Sequence, residues 1–265
     1  MKQLLFLLIL SLSLNAYELL ELFENNTYIS KVNYADKRLT LASKNEFFIV
    51  DLLRKNIIDQ GVLNYEILAI SKDKVVLKNA LTFSSKLGYI SNPLSYQNSA
   101  KLLFHKGNEV LLFDTNSTSK KLSNNVKPTT AFIGKSGIYI SFFSRNLIKF
   151  DEALNILEDI KTPNLITSIL ELDDTLILGD SKGNLYNDKV KINLLSQIDA
   201  ICECGDKICI GDYKGNLYIY DKNIEKEEGR EHIFNERVRA LFYDDEVGII
   251  AVSWKGDIAI LNKED

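Results

Sequence analysis

The segment Ile208–Asp221, ICIGDYKGNLYIYD, limits what this chain can fold into more than any other stretch. Ile208 and Ile210 stand two apart, a Lys-Gly-Asn turn follows, and Leu217–Tyr220 continues as alternating aliphatic and aromatic residues. β-Branched and aromatic runs on either side of such a turn form an antiparallel hairpin. The chain repeats the unit. Leu176–Tyr186 (LILGDSKGNLY) and Ala251–Asn262 (AVSWKGDIAILN) are close copies. Leu41–Asp51, Leu103–Asp114 and Ile140–Asp151 are weaker ones.

Around these hairpins the pattern reads as strand after strand, with no convincing helix. Thr129–Ile133, Gly137–Phe143, Leu147–Asp151 and Ile156–Ile160 make one set of four. Ile166–Leu172, Thr175–Gly179, Asn184–Tyr186 and Val190–Leu194 make the next, and Asp199–Cys204, Lys207–Asp212, Asn216–Asp221 and Glu231–Phe234 a third. Tyr28–Tyr34, Arg38–Ala42, Phe47–Leu52 and Ile57–Leu63 form an early set, and Leu81–Asn98 is the least regular region. Four strands per unit mark a radial or stacked repeat. The turn glycines Gly183, Gly215 and Gly256 lie 32 and 41 residues apart, close to the period of a propeller blade. The expected fold is all-β: a single seven-bladed β-propeller of four-stranded antiparallel blades. Val238–Tyr243, Val247–Trp254 and Asp257–Asn262 supply only three strands for the last blade. Open sheet edges invite association, so the N-terminal stretch Tyr17–Phe23 is expected to join that C-terminal blade as its fourth strand and close the ring. A short helix is the other reading of Tyr17–Phe23.

These units resemble WD40-like or quinoprotein-like β-propeller repeats, as Gly215–Asp221 and Gly256–Asn262 show. The Gly-His pair and Trp-Asp dipeptide of the strict WD40 form are missing, and the single Trp254 precedes a Lys-Gly turn. The resemblance extends over nearly all of residues 17–265 and speaks to fold more than to partner.

Leu4–Leu14 is an apolar run behind Lys2, followed by Ser13-Leu14-Asn15-Ala16. It is too short to span a membrane, which takes roughly 20 apolar residues, and has the layout of a secretory signal. Residues 1–16 are therefore read as a signal peptide and 17–265 as the propeller domain, with a periplasmic location. No Cys follows the apolar run, so no lipid anchor is expected after cleavage. The formal charge of -4 and the lack of a basic run argue against nucleic acid as a partner. A monomer is expected.

Cys202, Cys204 and Cys209 are the only cysteines. Cys202 and Cys204 share one face of a strand. A two-residue loop sets Cys209 opposite Cys202, and a four-residue loop sets it opposite Cys204. Either places a cross-strand disulfide within reach, and an exported protein meets oxidising conditions. One disulfide with one spare thiol is the first expectation, three buried apolar thiols the second, and a metal site the last, since neither His105 nor His232 is near in sequence to complete four ligands. His105 is placed in a turn, and Lys222–Glu231 is read as an exposed connector. Asp173-Asp174, Asp244-Asp245, Asp180 and Asp212 are read as solvated turn residues. No triad, phosphate loop or calcium loop is recognised, so no catalytic residue, metal or cofactor is assigned. Asp114-Thr115-Asn116-Ser117-Thr118 resembles the bacterial N-glycosylation sequon and makes Asn116 a candidate for modification.

A propeller without a catalytic constellation is expected to act as a rigid interaction module. The layout is similar to that of NapL-type accessory proteins of periplasmic nitrate reductase systems: an export signal, one compact degenerate propeller and no lipid anchor. That resemblance implies protein partners among nitrate reductase components and a role in nitrate respiration without a cofactor of its own. The alternatives are a quinoprotein-type dehydrogenase, disfavoured by the single Trp, and a scaffold for outer-membrane protein assembly.

Overall fold

A computed structural model describes residues 17–22, 28–70, 74–77, 82–84, 101–106, 108–114, 119–123 and 125–261. Among these residues there is no helix, and the strands form seven antiparallel sheets, five of four strands and two of three. The short N-terminal strand is β1 (Glu18–Leu20). The first sheet follows as β2 (Lys31–Ala35), β3 (Arg38–Ser43), β4 (Glu46–Asp51) and β5 (Asn56–Val62). The three-stranded sheets are β6 (Ile67–Ile70), β7 (Lys74–Leu77) and β8 (Thr82–Ser84), then β9 (Lys101–Lys106), β10 (Glu109–Asp114) and β11 (Ser119–Ser123). Four-stranded sheets resume with β12 (Pro128–Ile133), β13 (Ile138–Phe142), β14 (Asn146–Phe150) and β15 (Ile156–Lys161). Next come β16 (Ile166–Leu172), β17 (Thr175–Asp180), β18 (Asn184–Tyr186) and β19 (Lys191–Asn193). The sixth sheet is β20 (Ile198–Cys204), β21 (Lys207–Asp212), β22 (Asn216–Asp221) and β23 (Glu227–His232). The last is β24 (Val238–Asp244), β25 (Gly248–Ser253) and β26 (Ile258–Leu261).

Burial follows position within each sheet. The second strand β13, IYISF, is buried at every residue, because neighbouring sheets cover both of its faces. The fourth strand β15, ILEDIK, is almost wholly exposed. The cores therefore lie between sheets. One cluster joins Leu39, Leu41 and Val50 of the first sheet to Ile250, Val252 and Ile258 of the last. Further contacts tie these two sheets: Ile29 N–H donates to Trp254 O at 2.8 Å, Tyr34 Oη to Asp244 Oδ2 at 2.6 Å, and Arg239 to Ser30 O at 2.7 Å. The N-terminal stretch is a strand, not a helix. β1 lies antiparallel on β26, with Glu18 opposite Ile260 and Leu20 opposite Ile258.

The repeated turn has a local cause. Asp212 is fully buried, and its Oδ1 accepts the N–H groups of Lys214 (2.8 Å) and Asn216 (2.9 Å). Its Oδ2 accepts Asn216 Nδ2 at 2.8 Å and the Tyr218 hydroxyl at 3.1 Å. Asp180 repeats this with Lys182 and Asn184, and Ser253 Oγ accepts the Lys255 and Asp257 amides. The expectation that Asp180 and Asp212 are solvated is thus corrected: both are sealed inside turns whose amides donate hydrogen bonds to them. Gly215 sits at φ +83°, and a Cβ there would strike the backbone carbonyls of Phe234 and Glu236, so no other residue fits.

Other differences from the sequence reading are small. His105 lies within β9 rather than in a turn. The charged segment Lys222–Glu231 is only half a connector: Glu227 onward is the outer strand β23, and Ile233 and Phe234 are buried rather than strand residues. The irregular region Leu81–Asn98 contributes β8, and the rest of it falls outside the described residues. Asn108 Nδ2 donates to Asn125 O at 3.1 Å, as Asn45 Nδ2 does to Leu63 O at 2.8 Å. This aligns β9, β10 and β11 with β3, β4 and β5.

Candidate functional site

Antiparallel order sends the turn between second and third strands to the same end of a sheet as the link into the next first strand. Hydrogen bonds join the two. Phe143 N–H donates to Lys127 O, Ser181 to Leu165, Tyr213 to Gln197 and Trp254 to Arg237, at 2.9–3.0 Å. We call this the link end. It carries Tyr28, Tyr65, Phe143 and Tyr213, the exposed aromatic side chains among the described residues. Leu195, at 85% exposure the most exposed large apolar residue described, stands there too. Exposed aromatics gathered on one surface mark a contact site.

A guanidinium cluster supports Tyr213 and, through Trp254, Tyr28. The Arg237 guanidinium lies 5.3 Å from the Tyr213 ring centre and 5.0 Å from that of Trp254, and Arg239 lies 5.2 Å from Trp254. Tyr28 packs on Trp254 with ring centres 6.1 Å apart. Arg237 Nη2 donates to Asp199 Oδ1 at 2.8 Å, and Gln197 Nε2 to the same oxygen at 2.7 Å. The Asp199 side chain is only 3% exposed. Burial pushes its carboxyl above the usual range, while Arg237 holds it down. Lys31, at the start of β2, is pushed down to about 8 by burial and by the neighbouring Arg239 charge, against an opposing pull from Glu66. None of this cluster is singled out by the sequence reading. One signal was present: Tyr213 and Trp254 occupy the same place before a Lys-Gly turn.

The cysteines lie elsewhere, in the hairpin of β20 and β21. Its turn is Gly205-Asp206, so Cys204 stands opposite Lys207 and Cys202 opposite Cys209. The disulfide nevertheless joins the diagonal pair Cys204 and Cys209, whose Cα atoms are 6.0 Å apart. Cys202 is the remaining thiol, its Sγ 3.4 Å from Cys204 Sγ, and burial with the Glu203 charge pushes it well above the usual thiol range. The three sulfurs lie within 4.8 Å of one another. They pack among Leu241, Ala251 and Ala259 of the last sheet, with Tyr17 and Tyr243 alongside. His232 is exposed on β23, its Nδ1 3.0 Å from Asn216 Oδ1 and far in the fold's register from the cysteines. Asn116 and residues 1–16 fall outside the described residues.

No protein-family model matches the sequence, and no curated protein matches it either. Solved structures do. The chain is similar to virginiamycin B lyase from Staphylococcus aureus, with a TM-score of 0.70 and 14% identity over 94% of this chain and 99% of that one. The fold is a β-propeller. It is also similar to the computationally designed Ika8 protein, with a TM-score of 0.63 and 12% identity over 91% of this chain and 98% of that one. At such identities the likeness extends to the fold alone. It gives no residue of this propeller a role.

Proposed function

We propose that this chain is an exported, seven-bladed propeller, closed by β1 on β26, that works as a non-catalytic accessory module and binds another protein through its link end. The observation that carries this reading is the grouping of Tyr28, Tyr65, Phe143, Tyr213 and Leu195 at one end of the sheets. Aromatic residues backed by arginine are the usual anchors of protein interfaces. The rigid turns beneath them keep the ordering cost of binding low.

The resemblance to NapL-type proteins supplies the first partner to try, a component of a periplasmic nitrate reductase. Purified chain immobilised through its C-terminus is mixed with the reductase subunits. Retention of a subunit by the wild type, and its loss with Phe143→Ser plus Tyr213→Ser, is the expected result. Retention unaffected by those substitutions contradicts the use of this end. Failure to retain any subunit contradicts the nitrate reductase assignment. Lyase or quinone-dependent dehydrogenase turnover by the pure protein contradicts the non-catalytic reading.

A further inference from the structure

The protein is weakly acidic overall, with a formal charge of -4, yet exposed cations outnumber exposed acids among the described turns and links of the link end. In the turns and links of the link end stand Lys44, Lys127, Arg145, Lys182, Lys214 and Lys255, all exposed. Apart from the buried Asp180 and Asp212, the acids among the described residues of the same turns and links are Glu21, Glu66, Glu236 and Asp257, fewer than the cations and partly occupied. Glu236 pairs with Lys255 at 3.1 Å and accepts Ser253 Oγ at 2.7 Å, while Asp257 is half-buried against Ser253. Glu66 pulls on Lys31. The turns that follow the first strands, at the opposite end, carry Asp173, Asp174, Asp206, Asp245 and Glu246. Of the two cations described in these turns, Lys37 is bound to Glu246 and Lys135 is exposed, and the turns between third and fourth strands at the same end add Arg54, Lys55, Lys189, Lys222 and Lys226.

Resting on the reading above, we infer that the link end takes an acidic protein segment, one whose Asp and Glu side chains meet the ring of lysines while its apolar residues settle on Tyr213, Phe143 and Leu195. The arrangement suits a polypeptide better than a nucleic acid. The cations are spread roughly one per sheet around the end, rather than lined along a groove that could track a phosphate backbone. Arg237 itself is spent on Asp199 and serves as a floor for the rings. The exposed lysines are the groups that steer and select the partner.

The test uses the whole protein and two fluorescent probes, a poly-L-glutamate peptide and a poly-dT oligonucleotide of similar charge, read by anisotropy at low and high salt. Poly-L-glutamate is expected to bind the wild type and to weaken as salt rises. Its affinity should fall about tenfold in Lys182→Glu plus Lys214→Glu. Asp173→Lys plus Asp174→Lys, at the opposite end, should leave it unchanged. Lys127→Glu plus Arg145→Glu repeats the loss should the first pair disturb folding, which thermal unfolding reports. Absence of poly-L-glutamate binding, equal binding by the charge-reversed variants, or tighter binding of poly-dT each overturns the inference. Retained reductase subunits with no response to poly-L-glutamate overturn only this inference. Poly-L-glutamate binding without subunit retention overturns only the choice of partner.

Discussion

Replacing Arg237 with Ala tests the cluster under the link end most directly. The guanidinium spans three elements: Asp199 on β20, Tyr213 in the β21–β22 turn and Trp254 after β25. The Asp199 side chain is 3% exposed and that of Arg237 26%, so removing the arginine strands a carboxylate that water barely reaches. Breaking a buried pair from one side costs roughly 3–5 kcal/mol. The low end applies here, about 3 kcal/mol, because Arg237 is partly solvated and Arg239 also lies near Asp199. For a domain of this size that is roughly 6–12 °C in Tm. The pH dependence adds a second mark. Without Arg237 the Asp199 carboxyl rises further above its unfolded value. The penalty is then full above that raised pKa and shrinks as pH falls towards the unfolded one. Urea denaturation of wild type, Arg237→Ala, Asp199→Asn and the double variant at neutral and acidic pH measures both. A loss below about 1 kcal/mol, or a deficit that grows on acidification, refutes the reasoning.

Four other outcomes are expected. Lys31→Met should stabilise the protein by up to about 3 kcal/mol at neutral pH, because Lys31 is pushed down to about 8 from 10.5. Its unfolded state holds a proton that the folded state has shed between those values, so wild-type stability recovers across that window and the gain from Lys31→Met should fade by its upper end. Asp212→Ala removes acceptors for two turn amides, Asn216 and Tyr218, and should cost about 2–4 kcal/mol in chemical denaturation. Deleting residues 17–22 bares the edge of β26, so thermal unfolding should show lower stability and sedimentation concentration-dependent association. A maleimide should label none of the cysteines quickly in the folded, oxidised protein, one after unfolding, and three only after reduction.

The strands were legible because a period of two and a glycine turn are local properties. Gly183 and Gly215 each mark a position where positive φ and neighbouring backbone exclude other residues, and that exclusion is written at the residue itself. The cysteine pairing was only half legible. The sequence left the loop length open, and although the two-residue turn puts Cys202 opposite Cys209, the bond runs to Cys204 along the diagonal. Asp180 and Asp212 were misread because a carboxylate in a turn is normally solvated. Here the next sheet covers the turn, and its amides supply the hydrogen bonds that water would otherwise give. Of the Arg237 cluster only the equivalent places of Tyr213 and Trp254 before Lys-Gly turns were legible, since Asp199 lies 38 residues away in another sheet.

The sequence by itself determined the repeating hairpin and the strand-after-strand pattern, because these follow from side-chain alternation and turn chemistry within a few residues; it left Tyr17–Phe23 open between strand and helix. Only the tertiary structure decided which turns share an end. That choice gathers the exposed rings and an excess of exposed cations on one surface, because each sheet fixes the direction of the next by packing a first strand against its neighbour.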